Sequence, residues 1–321
     1  MYPHQRDRLT GVLEGAGLAA LIAADPAAIA WATASEPDDT TSPRLIVVTP
    51  SASTLVAPAD GGSLASPLRE ALAALSVGGG AVGLDVDTLP AREAAAVREA
   101  LTPRETRSAA ALWRRARIAK SPFELECLQR ALLILEESLN ALVQVLEPGM
   151  TAKDAVAVCR TAAARQAMTL ETATVSARGG AATLAAGAVV QLELAGRRQG
   201  YHATVARLAV LGAPGAADDA AHAALEDALA AAVRALRPGA PVREVHEAFA
   251  AAGAAIGAHG IGLDARELPD VGPDADDVLE ADSVLAVTVD GPAGRLVETI
   301  WVSSQGPKTL NRTRPGLVVL D

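Results

Sequence analysis

Aromatic residues are nearly missing from this 321-residue chain: Phe, Trp and Tyr together make up 2% of it. Half of the residues are nonetheless hydrophobic, so alanine, leucine and valine must fill the core, and helices faced with small side chains can pack closely. Cysteine is scarce too. Cys127 and Cys159 stand in no CxxC or other metal-type spacing, which argues against a disulfide framework or a thiolate zinc site and for small core residues in a reducing compartment. There is no concentrated basic block. With 28 Lys and Arg against 38 Asp and Glu, the formal net charge is −10, and nucleic acid is not an expected partner. No uncharged apolar run is long enough to span a bilayer, and the opening MYPHQRDRL is polar rather than a basic patch followed by an apolar segment. A cytoplasmic protein without membrane association is expected.

The length exceeds that of one typical domain, so two are expected. In the first hundred or so residues, helical and strand signals alternate. RDRLTGVLEGAG is amphipathic with a glycine stop, LAALIAA reads as a buried strand, and PRLIVVTPSASTLVAPAD reads as two strands about a turn. GAVGLDVDTLP and the charged helix AREAAAVREAL complete a small α/β unit. The charged stretch RRARIAKSP, residues 114–122, marks its end, which sets domains at 1–115 and 116–321. There Ser121, Pro122 and Glu124 have the form of a helix start: a capping hydroxyl, a proline at the first helical position and a carboxylate able to reach back to the cap.

The second region repeats itself. A long helix ends at Leu146-Glu147-Pro148-Gly149, and a second helix, capped by Thr151, follows; later another helix ends at Leu236-Arg237-Pro238-Gly239, and VREVHEAFAAAGAA follows that one. Each pair precedes β-rich sequence, VVQLELAGRRQGYHATVARLAVLG and then SVLAVTVDGPAGRLVETIWVSSQG. Two such halves can close about a pseudo-twofold axis with their sheets facing one site. Acidic residues stand inside these apolar strands: Glu193 in the first hairpin, Asp290 and Glu298 in the second. A carboxylate facing a core is costly unless paired or metal-bound; on the solvent side of an alternating strand it costs nothing. Between the hairpins, AHGIGLDARELP sets His259 beside Gly260 and Gly262, which reads as a tight turn presenting an imidazole.

The ordered set RIAKSPFELECLQRA, LEPGMTAKDA, the Gly-Tyr hairpin, HGIGLDARELP and GRLVETIWVSSQGPKTLNR resembles the creatinase, prolidase and aminopeptidase P group, the M24 pita-bread proteins. RDRLTGVLEGAGLAALIAADPAAIAWATA resembles the start of that group's N-terminal domain. The resemblance covers nearly the whole chain. It implies an α/β (α+β) fold, with a small creatinase-type α/β domain followed by a pseudo-symmetric pita-bread domain.

In the metallopeptidases of that group, two divalent ions are held by two aspartates, a histidine and two glutamates. Carried over by resemblance, the positions fall on Glu193, Thr204, His259, Asp290 and Glu298. Thr204 replaces the bridging aspartate with a neutral hydroxyl, while Glu193 lengthens and Asp290 shortens a ligand arm. His202, two residues before Thr204, is a candidate substitute ligand. The histidine that follows the HGxG segment in the group falls on Arg266, which binds carboxylates but cannot shuttle protons. The segment before the first hairpin, SARGGAATLAAGAVV, has no histidine where the group carries another.

What is left is a remnant ligand set of Glu193, His259, Asp290 and Glu298, and a pocket of His202, Thr204, His259 and Arg266. No cofactor is expected, although one weakly held Mn, Co or Zn ion is compatible with the set. Three readings follow: a pseudopeptidase that binds a small molecule, peptide or partner; a metal-dependent Xaa-Pro dipeptidase or aminopeptidase with altered ligands; and a metal-free creatinase-type amidohydrolase. The resemblance also implies a homodimer.

Overall fold

The computed structural model describes residues 3–37, 42–58 and 62–320. Two compact units divide the chain, Met1–Arg117 and Ile118–Asp321. The first contains α1 (Pro3–Ala16), β1 (Ala20–Ala23), α2 (Pro26–Thr33), β2 (Leu45–Val48), β3 (Ser53–Val56), α3 (Ala65–Ala74), β4 (Val82–Asp85), α4 (Ala91–Leu101), β5 (Thr106–Ser108) and α5 (Ala110–Ala116). Its sheet runs β3-β2-β1-β4-β5. β4 is parallel to β1 and to β5, whereas β2 is antiparallel to its neighbours. β1 and β2 are buried along their whole length, which explains why LIA and LIVV read as apolar runs without alternation. The end of the two-strand stretch, residues 59 and 60, lies outside the described residues. Two of the three tryptophans, Trp31 and Trp113, are buried in this unit; elsewhere in it Leu, Val and Ala fill the core.

The second unit contains α6 (Pro122–Val143), α7 (Ala152–Ala164), β6 (Thr169–Ala177), β7 (Val189–Arg198), β8 (Tyr201–Leu211), α8 (Ala216–Ala235), α9 (Val242–Ala250), β9 (Ala255–Gly260), β10 (Glu267–Asp270), β11 (Ser283–Gly291), β12 (Gly294–Ser303), β13 (Gly306–Thr309) and β14 (Val318–Leu320). α6 starts as its sequence dictates: the Glu124 backbone N–H donates to Ser121 Oγ, and Glu124 Oε2 accepts from the Ser121 backbone N–H at 2.9 Å. The two Pro-Gly junctions are equivalent in space. Gly149 and Gly239 both have positive φ, 97° and 81°, and their N–H groups donate to Leu184 O and Leu279 O, at 2.8 and 2.7 Å. Each half is thus helix, helix, strand and hairpin. The third element of each, β6 and β9, is a strand beyond the helix, helix, hairpin order that the sequence suggests, and His259 lies on β9 rather than in a tight turn.

All strands of this unit form one nine-stranded sheet, with the path β10-β9-β11-β12-β8-β7-β6, β13 beside β12 and β14 beside β8. The halves meet where β8 pairs with β12 at Ala206 and Val297. Arg207 closes this seam. Its Nη1 donates to Ala206 O and Val297 O, both at 2.9 Å, and its Nη2 to Thr313 O at 3.1 Å. Two buried carboxylates flank the guanidinium, Glu298 at 2.5 Å and Glu136 of α6 at 3.9 Å. Glu136 also accepts from the backbone N–H groups of Arg312 and Thr313. Cys127 and Cys159 are buried free thiols, and burial pushes both up to about 11, which keeps them protonated.

Two predictions follow from buried charge. Burial, opposed by Arg207 and helped by Glu136, pushes the Glu298 carboxyl from 4.5 up to about 7. The native state therefore holds a proton that the unfolded chain releases between these values, so this group's contribution to stability is full below about pH 4.5 and is lost as pH rises to about 7. Urea unfolding of Glu298→Gln against the native chain should reveal a difference that changes by about 3 kcal/mol across that window and is flat above it. Separately, Lys120 Nζ lies 2.5 Å from Glu267 Oε2 with both side chains almost fully buried. Glu267→Gln should cost about 3–5 kcal/mol in urea unfolding, and Lys120→Met with Glu267→Met should recover most of it, because a stranded buried charge costs more than a lost pair.

Candidate functional site

Side chains alternate across a sheet, so the register decides which residues can share a site. Reading across the strands, Gly257 lies opposite Thr288, Thr288 opposite Val297, Val297 opposite Ala206, and Ala206 opposite Glu193. These five share one face. His259, two residues on from Gly257 and opposite Ala286, shares it too, as does Thr204, opposite Ala195. Asp290 pairs with Arg295 on the same face.

Glu298 does not belong here. It pairs with Val287, one residue out of phase with Thr288 and Asp290, and so points to the opposite face, where Val287 packs into the core built with α8 and α9. The cause is the hairpin loop. Gly291 pairs with Gly294 around a two-residue turn, which puts even-numbered residues of β11 with odd-numbered residues of β12. The expectation that Asp290 and Glu298 converge on one ion is therefore overturned by the register, and Glu298 belongs to the Arg207 network instead.

Arg295 stands where the carboxylates converge. Its Nε donates to Asp290 Oδ1 at 2.7 Å and its Nη1 to Glu193 Oε1 at 3.3 Å, joining the two hairpins through one guanidinium. Gln191 holds its backbone in the manner of a neighbouring strand: Gln191 Oε1 accepts from Arg295 N at 2.7 Å and Nε2 donates to Arg295 O at 3.0 Å. The hydrogen bond to Asp290 is the largest influence on the guanidinium and raises its already high pKa, so this is a permanent cation. Sequence reasoning missed Arg295, Gln191, Thr288 and Val297. Asp290-Gly-Pro-Ala-Gly-Arg295 was the available signal, since a two-residue turn places those opposite charges directly across from each other.

The remaining predicted residues are dispersed. His202 shares the face with Thr204 but sits at the far end of β8, its Nδ1 3.1 Å from Glu171 Oε2. Arg266 is exposed and bidentate to Asp270, with contacts at 2.7 Å to both carboxylate oxygens; it is a surface ion pair. His259 is half-buried, and its Nδ1 lies 3.0 Å from Gly260 O, which leaves Nε2 to face outward. The neighbouring glycines have a different reason from the one expected. His259 ends a strand rather than opening a turn, and neither Gly260 nor Gly262 has positive φ. A Cβ on Gly260 would collide with Leu268 O, and one on Gly262 would lie 2.6 Å from Glu267 Oε2. Close approach of the β10 segment, not turn geometry, requires them.

Among the described residues, no group of three or more His, Cys, Asp and Glu side chains is placed to hold a metal ion. The donor set is a poor fit to a metal pair on chemical grounds: Glu193 and Asp290 are spent on Arg295, Thr204 is neutral, and Glu298 faces away. No helix among the described residues is long and apolar enough to cross a membrane.

The model of metallopeptidase family M24 matches residues 126–304. No curated protein sequence matches. Among solved structures, the chain is similar to an Xaa-Pro dipeptidase from Bacillus anthracis, at 18% identity and TM-score 0.78 over 98% of this chain and 99% of that one. It is similar to a dipeptidase from Pyrococcus horikoshii OT3, at 18% identity and TM-score 0.79 over 98% and 100%. The X-Pro aminopeptidase from Thermotoga maritima MSB8 gives 17% and 0.78 over 98% and 100%. These likenesses, spanning both units and the duplicated sheet, give the fold, and the family match covers more than half of the residues: the chain belongs to metallopeptidase family M24.

Proposed function

We propose that this M24 member is a pseudopeptidase, a binding protein for a small molecule or peptide that has left the hydrolytic chemistry of its fold. The observation that supports this is the row across the seam. In line with Glu193 it reads Ala206, Val297 and Thr288, so in this row only the first hairpin offers a carboxylate, and the second hairpin's Asp290, two residues along, is paired with Arg295. Bimetallic hydrolysis needs anionic ligands from both sides to hold two cations a few ångströms apart and to activate a hydroxide between them. It also needs a group to carry a proton to the leaving amine. Arg266 cannot do that, and it is tied to Asp270. His259, with Nε2 facing outward, and the hydroxyls of Thr204 and Thr288 suit hydrogen-bonded recognition of a polar ligand on this face instead. The creatinase-type reading lacks a second base to support it. A homodimer in the cytoplasm completes the proposal, on the resemblance alone.

Elemental analysis of the purified protein after dialysis should find no stoichiometric pair of Mn, Co or Zn, and Ala-Pro should not be hydrolysed in excess Mn²⁺. Two retained ions per chain, or metal-dependent turnover abolished in His259→Ala, overturns the proposal in favour of an altered dipeptidase. Restoring single positions should recover little, because the parts of such a site act as a unit. Thr204→Asp combined with Thr288→Glu and Val297→Glu should gain metal before it gains any turnover, which calorimetry and a dipeptide assay on the same preparation would separate. Light scattering checks the dimer: a monomer mass at micromolar concentration refutes it.

A further inference from the structure

A groove between α8 and the segment 309–315 lies on the helix side of the sheet, away from the face that carries His259. It holds about 730 Å³ and is lined at its buried end by Glu298. Two polar atoms there are left unpaired. Glu298 is 2% exposed and places Oε1 2.5 Å from Arg207 Nη2, whereas its Oε2 has no hydrogen-bond partner among the described residues. Asn311 gives Oδ1 to the backbone N–H of Thr299, the residue next to Glu298, and its buried Nδ2 likewise has no partner among them. The floor of the groove thus presents an acceptor near a donor, each of which is costly to bury unmet.

The rim adds charge of both signs, separated along the helix. Glu226 and Asp227 precede Arg234 on α8 by about 11 Å of helix axis. Arg312 and Arg314 line the facing wall, and neither these two guanidiniums nor those of Arg234 and the carboxylate of Asp227 have an ion-pair partner among the described residues; Glu226 Oε2 lies 3.9 Å from His222 Nε2. Leu229 and Val233 supply apolar wall between the charged ends. We propose that this groove binds an elongated zwitterion, with its amine at Glu226 and Asp227, its carboxylate on the arginines, and an amide between them that meets Glu298 and Asn311. An amide offers the N–H that Oε2 accepts and the C=O to which Nδ2 donates. A charge separation of about 11 Å matches an extended chain of about three residues. The proposal goes beyond the pseudopeptidase reading and does not depend on it, since that reading concerns the other face of the sheet.

The test is isothermal titration of the full chain with trialanine, which should bind saturably at one site. The linear ω-amino acid aminohexanoate keeps both charges but has no amide, and it should bind about tenfold more weakly, as expected for the loss of two neutral hydrogen bonds. Hexanoate and hexylamine, with one charge each, should not saturate. Arg234→Glu, a change at an exposed position, should weaken trialanine about fivefold, and Asn311→Ala should remove most of its advantage over aminohexanoate. His259→Ala should bind trialanine as the native protein does. The proposal is wrong if trialanine does not bind, if hexanoate or hexylamine binds equally well, or if Arg234→Glu, shown to be folded by circular dichroism, binds unchanged. It is also wrong if Asn311→Ala keeps the full preference for trialanine. Loss of binding in His259→Ala would move the ligand to the other face and overturn the groove, leaving the pseudopeptidase reading in place; metal-dependent hydrolysis of Ala-Pro would overturn that reading and leave the groove standing.

Discussion

The two halves of the larger unit are joined through a seam where β8 and β12 meet at Ala206 and Val297, and Arg207 closes it from the helix side. The interaction is strong because it is dry. Arg207 is 3% exposed, and its guanidinium is spread over two backbone carbonyls, Thr313 and two acids. A buried guanidinium left unpaired would cost several kcal/mol, so strands, α6 and the 310–313 segment must arrive together. That requirement also explains why Glu298 is acidic on a core-facing strand position, which sequence pattern alone reads as a ligand.

One arginine serves each face of the sheet, and their surroundings make them different devices. Arg207 is enclosed, so its pairs contribute to cooperativity and break at high cost. Arg295 is half-exposed, so its pairs with Asp290 and Glu193 are screened and contribute little to global stability, on the order of 0–1 kcal/mol. Its effect is local, setting the electrostatics of the face where His259 and Thr204 lie. Two negative charges on this face are reduced to a net of one by the guanidinium.

Much of the fold was legible. The capping box at Ser121, the paired Pro-Gly junctions and the alternation in the hairpins are local signals, and local signals survive in a chain poor in aromatics. β6 and β9 were not legible as strands, since Thr169–Ala177 and Ala255–Gly260 are mixtures of small and polar residues whose pairing is decided by neighbours. For the site, motif position suggested Glu298 and Asp290 as partners, and turn length contradicts it: a two-residue loop sends them to opposite faces. Arg266 was legible as a carboxylate binder, yet its carboxylate is Asp270 four residues on. Arg295 escaped because no motif marks it; only the register does.

The register also explains why the second hairpin tolerates its neutral residues. Val297 is 3% exposed and its neighbour across the seam, Ala206, is fully buried. A carboxylate in that position would need a cation beside it, or would bear a desolvation cost of several kcal/mol in a place where Arg207 is already committed to the other face. Valine suits the same position with no ion present, by burying apolar surface against Ala206 and fitting the pleat. Thr288, in the next strand, is half-buried, and its neutral side chain carries no charge to be desolvated. The pseudo-twofold axis at the seam relates Ala206 to Val297 and Glu193 to Thr288, so one carboxylate has lost its counterpart across the axis and has Arg295 beside it instead. The apolar seam and the guanidinium thus complement each other: the first places no charge at the centre of the row, and the second neutralises charge at its edge.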